Sequence, residues 1–208
     1  GADLLIKETH HHGPIDRFLF TNTDWHLIRD CPMPLLLCKQ QPRRAEQPIL
    51  AAVDPMHEND KDASLDRRIL DLAGQLSRAM GSKLHAVHAV NAAGIGPAMS
   101  PGVAMAVYLP ADTTAESIIE AHKTAFEKLA GEHGIPTERA HLRQGATGEV
   151  LNTMIEETGA GMVVMGAVAR GALERVLVGS TAERVLNALD CDVLVVKPNG
   201  FTTSVDAG

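Results

Sequence analysis

The first 39 residues reappear, displaced by 158 positions, near the far end of the chain. GADLLIKETHHHGPIDRFLFTNTDWHLIRDCPMPLLLCK lies without a gap on GAGMVVMGAVARGALERVLVGSTAERVLNALDCDVLVVK, residues 159–197. Gly1, Ala2, Gly13, Arg17, Leu19, Thr23, Leu36 and Lys39 meet the same residue type in the second copy, Asp16 meets Glu174, and the two apolar runs coincide. Self-similarity at a fixed spacing decides the architecture before any local pattern does, because each copy is one folding unit. The first copy opens without a methionine, in what should be the middle of a unit. The expected organisation is a truncated tandem: a C-terminal remnant of a first repeat over 1–39, a linker rich in proline and charge over 40–47, a complete unit over 48–198 and a tail over 199–208.

The complete unit alternates two kinds of pattern. PILAAVDP, 48–55, is an apolar run closed by Asp-Pro and reads as a first strand. From Asp62 the positions Leu65, Ile69, Leu72, Leu76 and Met80 keep a helical stripe that stops at Gly81. KLHAVHAV is a second strand, 113–130 a second helix and RAHLRQG a third strand. Thr147 is placed to cap a third helix over 148–158, GMVVMG is a fourth strand, Ser180 or Thr181 caps a fourth helix carrying Val185, Leu186 and Leu189, and DVLVVK closes the unit. Strands alternating with helices of this length predict an α/β fold, a five-stranded parallel sheet with helices on both faces.

Composition narrows the function classes. Aromatics make up 3% of a chain that is 45% hydrophobic, so aliphatic side chains and alanine must fill the core, as they do in parallel sheets. A net charge of −7 and the absence of any Lys/Arg run argue against a nucleic-acid partner. No stretch approaches the about 18 apolar residues of a membrane span. Cys31, Cys38 and Cys191 are an odd number without CxxC spacing and read as free thiols, which predicts a cytoplasmic protein.

Ligands of doubly wound sheets sit beyond the carboxyl ends of the strands, where the strand order switches. Asp54, the end of the second strand, and Gly166 with the loop after it fall on that edge. GAVARGALERVLVGST, 166–181, has two readings. Its small residues and the bare amides of a helix start at Gly179-Ser180-Thr181 suit an anion; a glycine before a helix cap is equally what any strand-to-helix turn uses. The loop is not a GxxxxGK[ST] phosphate loop. His10, His11 and His12 lack an adjacent ligand set and read as a polar surface or inter-domain loop, not a metal site. His88 reads as satisfying a strand-end hydrogen bond. Asp54 has no Ser-His or Cys-His partner, so no catalytic residue is assigned and the chain is not expected to be an enzyme. The long apolar loop over 91–110, which bears methionines, could cover an apolar or acyl ligand or pack on the neighbouring unit.

VVMGAVARGALERVLVGSTAERVLNALDCDVLVVKP and the ILAAVD of the first strand resemble the universal stress protein domain across 48–198, and NTDWHLIRDCP with AVYLP is similar to its tandem E-type members. The resemblance implies an adenine nucleotide alpha hydrolase-like sheet of order 3-2-1-4-5 and a role in stress response. It also implies an adenine nucleotide, ATP or AMP, held without efficient turnover. The family's motif is Gly, two residues, Gly, nine residues, Gly and Ser or Thr. Gly166, Gly179 and Ser180 match it, and Ala169 stands where the middle glycine would be. Carried over by position, Asp54 contacts the adenine or ribose edge and Ala89 lies beside the base. Met165 and Gly166 line the nucleotide, with Ala169 in the loop between, and Gly179, Ser180 and Thr181 hold the phosphates. The methyl of Ala169 and the carboxylate of Glu174 predict weak binding. A module for an apolar ligand or a tandem scaffold is the alternative. The terminal runs DVLVVK and PLLLCK are expected to associate as edge strands, within the chain or as a homodimer.

Overall fold

In a computed structural model the structure describes residues 2–9, 22–39, 46–56, 64–90, 114–166, 186 and 188–201. The expectations for His10–His12, the linker over 40–45, the loop over 91–110 and the segment after Gly166 that carries Ala169, Gly179, Ser180 and Thr181 lie outside the described residues.

Among the described residues, seven strands form one sheet. They are β1 (Leu5–Glu8), β2 (Leu35–Cys38), β3 (Ile49–Ala52), β4 (Leu84–Val90), β5 (Ala140–Gln144), β6 (Met162–Gly166) and β7 (Asp192–Val196), in the order β1-β2-β7-β6-β3-β4-β5. Read within the complete unit, β5-β4-β3-β6-β7 is the expected order 3-2-1-4-5, and every pair in it is parallel. The described helices are α1 (Asn22–Asp30), α2 (Ser64–Met80), α3 (Ala115–Glu132) and α4 (Thr147–Thr158).

The helices start and stop for identifiable reasons. Leu65, Ile69, Leu70, Ala73 and Ser77 keep one buried stripe along α2, which ends where Gly81 takes φ +62. At the start of α3, Thr114 and Ser117 form a capping box in which each side chain accepts from the other's amide. α4 departs from the expectation. Thr147 is its first residue, and the capping position is Ala146, with no side-chain hydrogen bond. Glu149 in the first turn offers the free amides a negative charge instead, and Gly159 at φ +67 closes the helix.

Because side chains alternate along a strand, the sheet separates two cores. Ile49, Ala51 and Val53 of the β3 segment, with Met162 and Val164 of β6, pack on one face with Leu65 and Ile69 of α2 and Phe126 and Leu129 of α3. Leu50, Val163, Val193 and Val195 pack on the other with Leu151 and Met154 of α4, Ile28 of α1, and Leu186 and Leu189. The second core continues under β2 through the buried Leu35 and Leu37, while the part-buried Leu36 packs against the first. On the first face Ile6 of β1 is 60% exposed, and Leu4 just before the strand 38%.

The terminal strands meet within the chain. β2 and β7 are antiparallel, with Leu35 opposite Val195, Leu36 opposite Leu194 and Leu37 opposite Val193. Leu36 and Leu194 are 158 positions apart, the spacing of the sequence repeat, so this one pair of equivalent residues faces each other at the centre of the seam. Lys197, just beyond β7 and only 2% exposed, donates to the carbonyls of Ile28 and Arg29 at 2.5 and 2.9 Å. It thus satisfies the C-terminal end of α1, and its Nζ lies 4.6 Å from the centre of the Phe201 ring. Burial lowers its pKa to about 8, against the pull of Asp30 and Cys31. Lys39, its repeat counterpart, is likewise buried with a pKa lowered to about 8, and its backbone amide donates to Asp192 Oδ1 at 2.9 Å.

Replacing Lys197 by Met strands two helix-terminal carbonyls in a dry site. A loss of about 1–3 kcal/mol is expected for such groups. Chemical denaturation measures the loss. Hydrogen exchange should locate it in α1, β1 and β2, with α3 and β5 unchanged.

Candidate functional site

β3 and β6 are neighbours from which the chain proceeds in opposite directions across the sheet, so the space beyond their carboxyl ends is the switch point. Four sequence-predicted residues converge on this edge. Ala52 of β3 is level with Met165 of β6 and with Val87 of β4. Asp54, two residues further along, therefore comes level with Ala89, and Gly166 ends β6 opposite Val196. Asp54, Ala89, Met165 and Gly166 are all part-exposed. Ala169, Gly179, Ser180 and Thr181 belong to the segment that leaves this edge after Gly166 and lie outside the described residues.

Gly166 is a glycine for a reason the sequence does not announce. Its φ is not among the positive ones, so left-handed backbone is not what it supplies. A Cβ placed there would stand 2.6 Å from Leu65 Cδ2 and 3.1 Å from Leu65 Cγ. The first turn of α2 presses directly on the end of β6.

The end of β3 is held by side chains in place of a ladder. Val53 N–H still donates to the Val87 carbonyl at 3.0 Å. Its own carbonyl accepts from His88 Nδ1 at 3.0 Å, and the next amide, that of Asp54, donates to Asp66 Oδ1 at 3.0 Å. His88 is 3% exposed, and its Nε2 lies 2.7 Å from Nδ1 of His122. The two rings stack at 5.0 Å with 16° between their planes, and Phe126 leans on His88 at 6.0 Å. The strand-end hydrogen bond expected of His88 is present. Sequence reasoning missed Asp66 and His122. His122 had a signal: it stands four residues before Phe126, on the buried stripe of α3.

A second pair, His85 and His141, stacks across β4 and β5 at 5.2 Å with 6° between the planes, and Nδ1 of the first meets Nε2 of the second at 2.9 Å. Burial pushes the pKa of His85, His88 and His141 below the ordinary histidine value. His141, Arg139 and Lys83 add to the shift at His85, and Arg143 at His141. The Val53 carbonyl and Asp54 oppose it at His88, and Glu157 opposes it at His141. Among the described residues, no three His, Cys, Asp or Glu side chains converge as a metal site would need, and no helix is long and apolar enough to cross a membrane.

Residues 46–197 match the universal stress protein family. The chain is 33% identical over 214 residues to universal stress protein E of Escherichia coli strain K12, a match that takes in 99% of this chain and 64% of that protein. Universal stress protein E of Photorhabdus laumondii is 29% identical over 208 residues, and the match again takes in 64% of the relative. The chain thus spans about two thirds of the length of these relatives. Among solved structures, a functionally unknown protein, PA1789 of Pseudomonas aeruginosa PAO1, superposes with a TM-score of 0.74 at 28% identity, over 94% of this chain and 63% of its own. A universal stress protein from Archaeoglobus fulgidus shares the fold, with a TM-score of 0.61 at 19% identity, over 94% of this chain and 62% of its own.

Two outcomes are expected. Gly166→Ala overpacks against Leu65 and should cost about 1–3 kcal/mol in denaturant unfolding; an unchanged midpoint would show that α2 yields freely. The three depressed histidines set a pH dependence. Above about pH 6.5 both states hold them neutral and their contribution is complete. As pH falls below that value the unfolded chain binds protons that the folded chain refuses, so stability should decline steadily towards pH 5. Thermal melts across that range measure it, and each histidine replaced by a neutral residue should flatten the slope.

Proposed function

Because the chain belongs to the universal stress protein family, we propose that its unit over 48–198 binds an adenine nucleotide, ATP or AMP, at the edge formed by β3, β4 and β6. It serves stress response by holding the nucleotide, without efficient turnover. One observation carries the reading. Asp54, Ala89, Met165 and Gly166 come from three strands to the switch point, and from Gly166 the chain runs on to Gly179 and Ser180, which with Gly166 match the family's motif, and to Thr181 beside them. Holding without turnover agrees with the chemistry of that edge. Asp66 is engaged with the Asp54 amide and His88 with the Val53 carbonyl and His122, so neither stands ready as a base. Weak affinity follows from Ala169 and Glu174, a methyl where backbone should approach closely and a carboxylate beside the phosphates.

A second reading has one observation in its favour. Leu65 crowds the Cβ position of Gly166, so packing alone favours glycine there even in a scaffold or apolar-ligand module that binds no nucleotide. We further propose that residues 1–39 are the C-terminal part of a first repeat, with 40–47 the linker and 199–208 a tail. The parallel pair β1–β2 joined through α1, and the facing of Leu36 and Leu194 at the repeat spacing, support this organisation. Pairing of β2 with β7 supports an intramolecular domain pair in place of a homodimer through these strands.

Isothermal titration with ATP, ADP and AMP distinguishes the readings. Ala169→Gly should tighten binding by about 1 kcal/mol, the scale of relief at a strained non-glycine position. Gly179→Asp should abolish it by setting a carboxylate against the phosphates. Parent and variants that stay folded and give no heat with any of the three leave only the second reading.

A further inference from the structure

Where β3 leaves the sheet, its exposed polar groups are met one by one. The Val53 amide is taken by β4, the Val53 carbonyl by His88 and the Asp54 amide by Asp66 of α2. Such a handover is needed because a backbone group buried without a partner costs as much as a lost hydrogen bond. The protonation states follow from the partners. A carbonyl only accepts, so the proton of neutral His88 sits on Nδ1, its Nε2 is bare, and His122 donates to it from Nδ1. Among the described residues, the titratable groups acting on His88 are Asp54 from the end of β3 and His122 from α3; Phe126 covers it with an apolar ring. A relay of this kind, Val53 to β4 to α3, ties the direction in which Asp54 leaves the sheet to two neighbouring elements.

We propose that His88 is a positioning residue of the nucleotide edge: its Nδ1–H fixes the Val53 carbonyl, and with Asp66 on the following amide it sets where Asp54 is presented to the ligand. The functional part of this proposal rests on the nucleotide reading above. His122 acts one step further out, holding the His88 ring in the orientation and tautomer that aim Nδ1 at Val53. The distinction from plain core packing lies in which ring nitrogen matters.

Two isosteric replacements separate the roles. The amide nitrogen of Asn falls near the Nδ1 position, and the amide oxygen of Gln can take the acceptor place of Nε2, so His88→Asn keeps the bond to Val53 while His88→Gln keeps only the bond to His122. Asn is one methylene smaller than Gln, so lost packing alone would penalise His88→Asn more, the reverse of the order expected from the bond to Val53. His88→Asn should bind AMP within about threefold of the parent, whereas His88→Gln should bind about tenfold or more weakly, the size expected for one stranded backbone carbonyl. Amide exchange read by NMR should show Asp54 protected in the Asn variant and unprotected in the Gln variant. Equal affinities and equal Asp54 protection in the two variants would overturn the proposal, reducing His88 to packing. If the parent binds no AMP while the exchange contrast persists, the clamp on Asp54 stands, and both the nucleotide reading and the role of His88 in it are overturned.

Discussion

The antiparallel seam between β2 and β7 is the contact on which the rest of the sheet depends. Without it, two apolar strands of four and five residues would each carry an open edge. With it, one sheet runs unbroken from β1 to β5, and β6 becomes its middle strand. The seam is short, and side chains lengthen it. Lys39 sends its amide to Asp192, and Lys197 crosses to the end of α1. Burying an ammonium is costly, as the lowered pKa of Lys197 records, and helix-terminal carbonyls are the kind of partner that offsets the cost. The core beneath the seam is shared, since Ile28, Leu35 and Leu37 pack with Val193, Val195, Leu186 and Leu189. A change at the seam therefore reaches β6 through one intervening strand, and β6 carries the candidate edge.

That edge illustrates how a parallel sheet ends. Ladder hydrogen bonds must stop where the strands diverge, and the polar groups just beyond have to be met by side chains or water. At β3 they are met by Asp66 of α2 and His88 of β4, the next two elements in sequence, so the strand end is held up to Asp54. Beside it, Leu65 fills the space over Gly166. Both Asp66 and Leu65 belong to the first turn of α2, which thereby sets the β3 end and the β6 end together.

What the sequence could reveal follows from the range of each interaction. The strand–helix alternation, the order 3-2-1-4-5 and the stop of α2 at Gly81 rest on periodicity, local backbone chemistry and the family resemblance, and the structure has them. The convergence of Asp54, Ala89, Met165 and Gly166 follows from parallel register and was legible for the same reason. Thr147 misled because a hydroxyl before an apolar stripe looks like a cap, while the capping position fell one residue earlier, on Ala146. Asp66 and His122 were hidden because their partners are distant: 12 residues for the first, 34 for the second. Asp66 resembles an ordinary acidic residue in a first helical turn, and nothing local says that it is buried. The reason for Gly166 was hidden in the same way, since Leu65 is a hundred positions away and only the packing of α2 brings it near.

For the proposed ligand, the electrostatics divide by distance. A chain of net charge −7 repels an anion at long range, but screening confines that repulsion to about 10 Å at ordinary ionic strength. Inside that distance the field is set by oriented backbone amides and by the nearest side chains. At the described part of the edge Asp66 is buried and accepts from the Asp54 amide, and the half-exposed carboxylate of Asp54 is the negative group just beyond β3. A carboxylate there suits the ribose hydroxyls and exocyclic amino group of an adenine nucleoside, which donate hydrogen bonds, and opposes phosphates. Phosphates would then belong on the other side of the switch point, beyond β6, where Gly179, Ser180 and Thr181 follow in sequence. For the proposed nucleotide, this arrangement would set the nucleoside towards β3 and β4 and the phosphates towards the segment after β6.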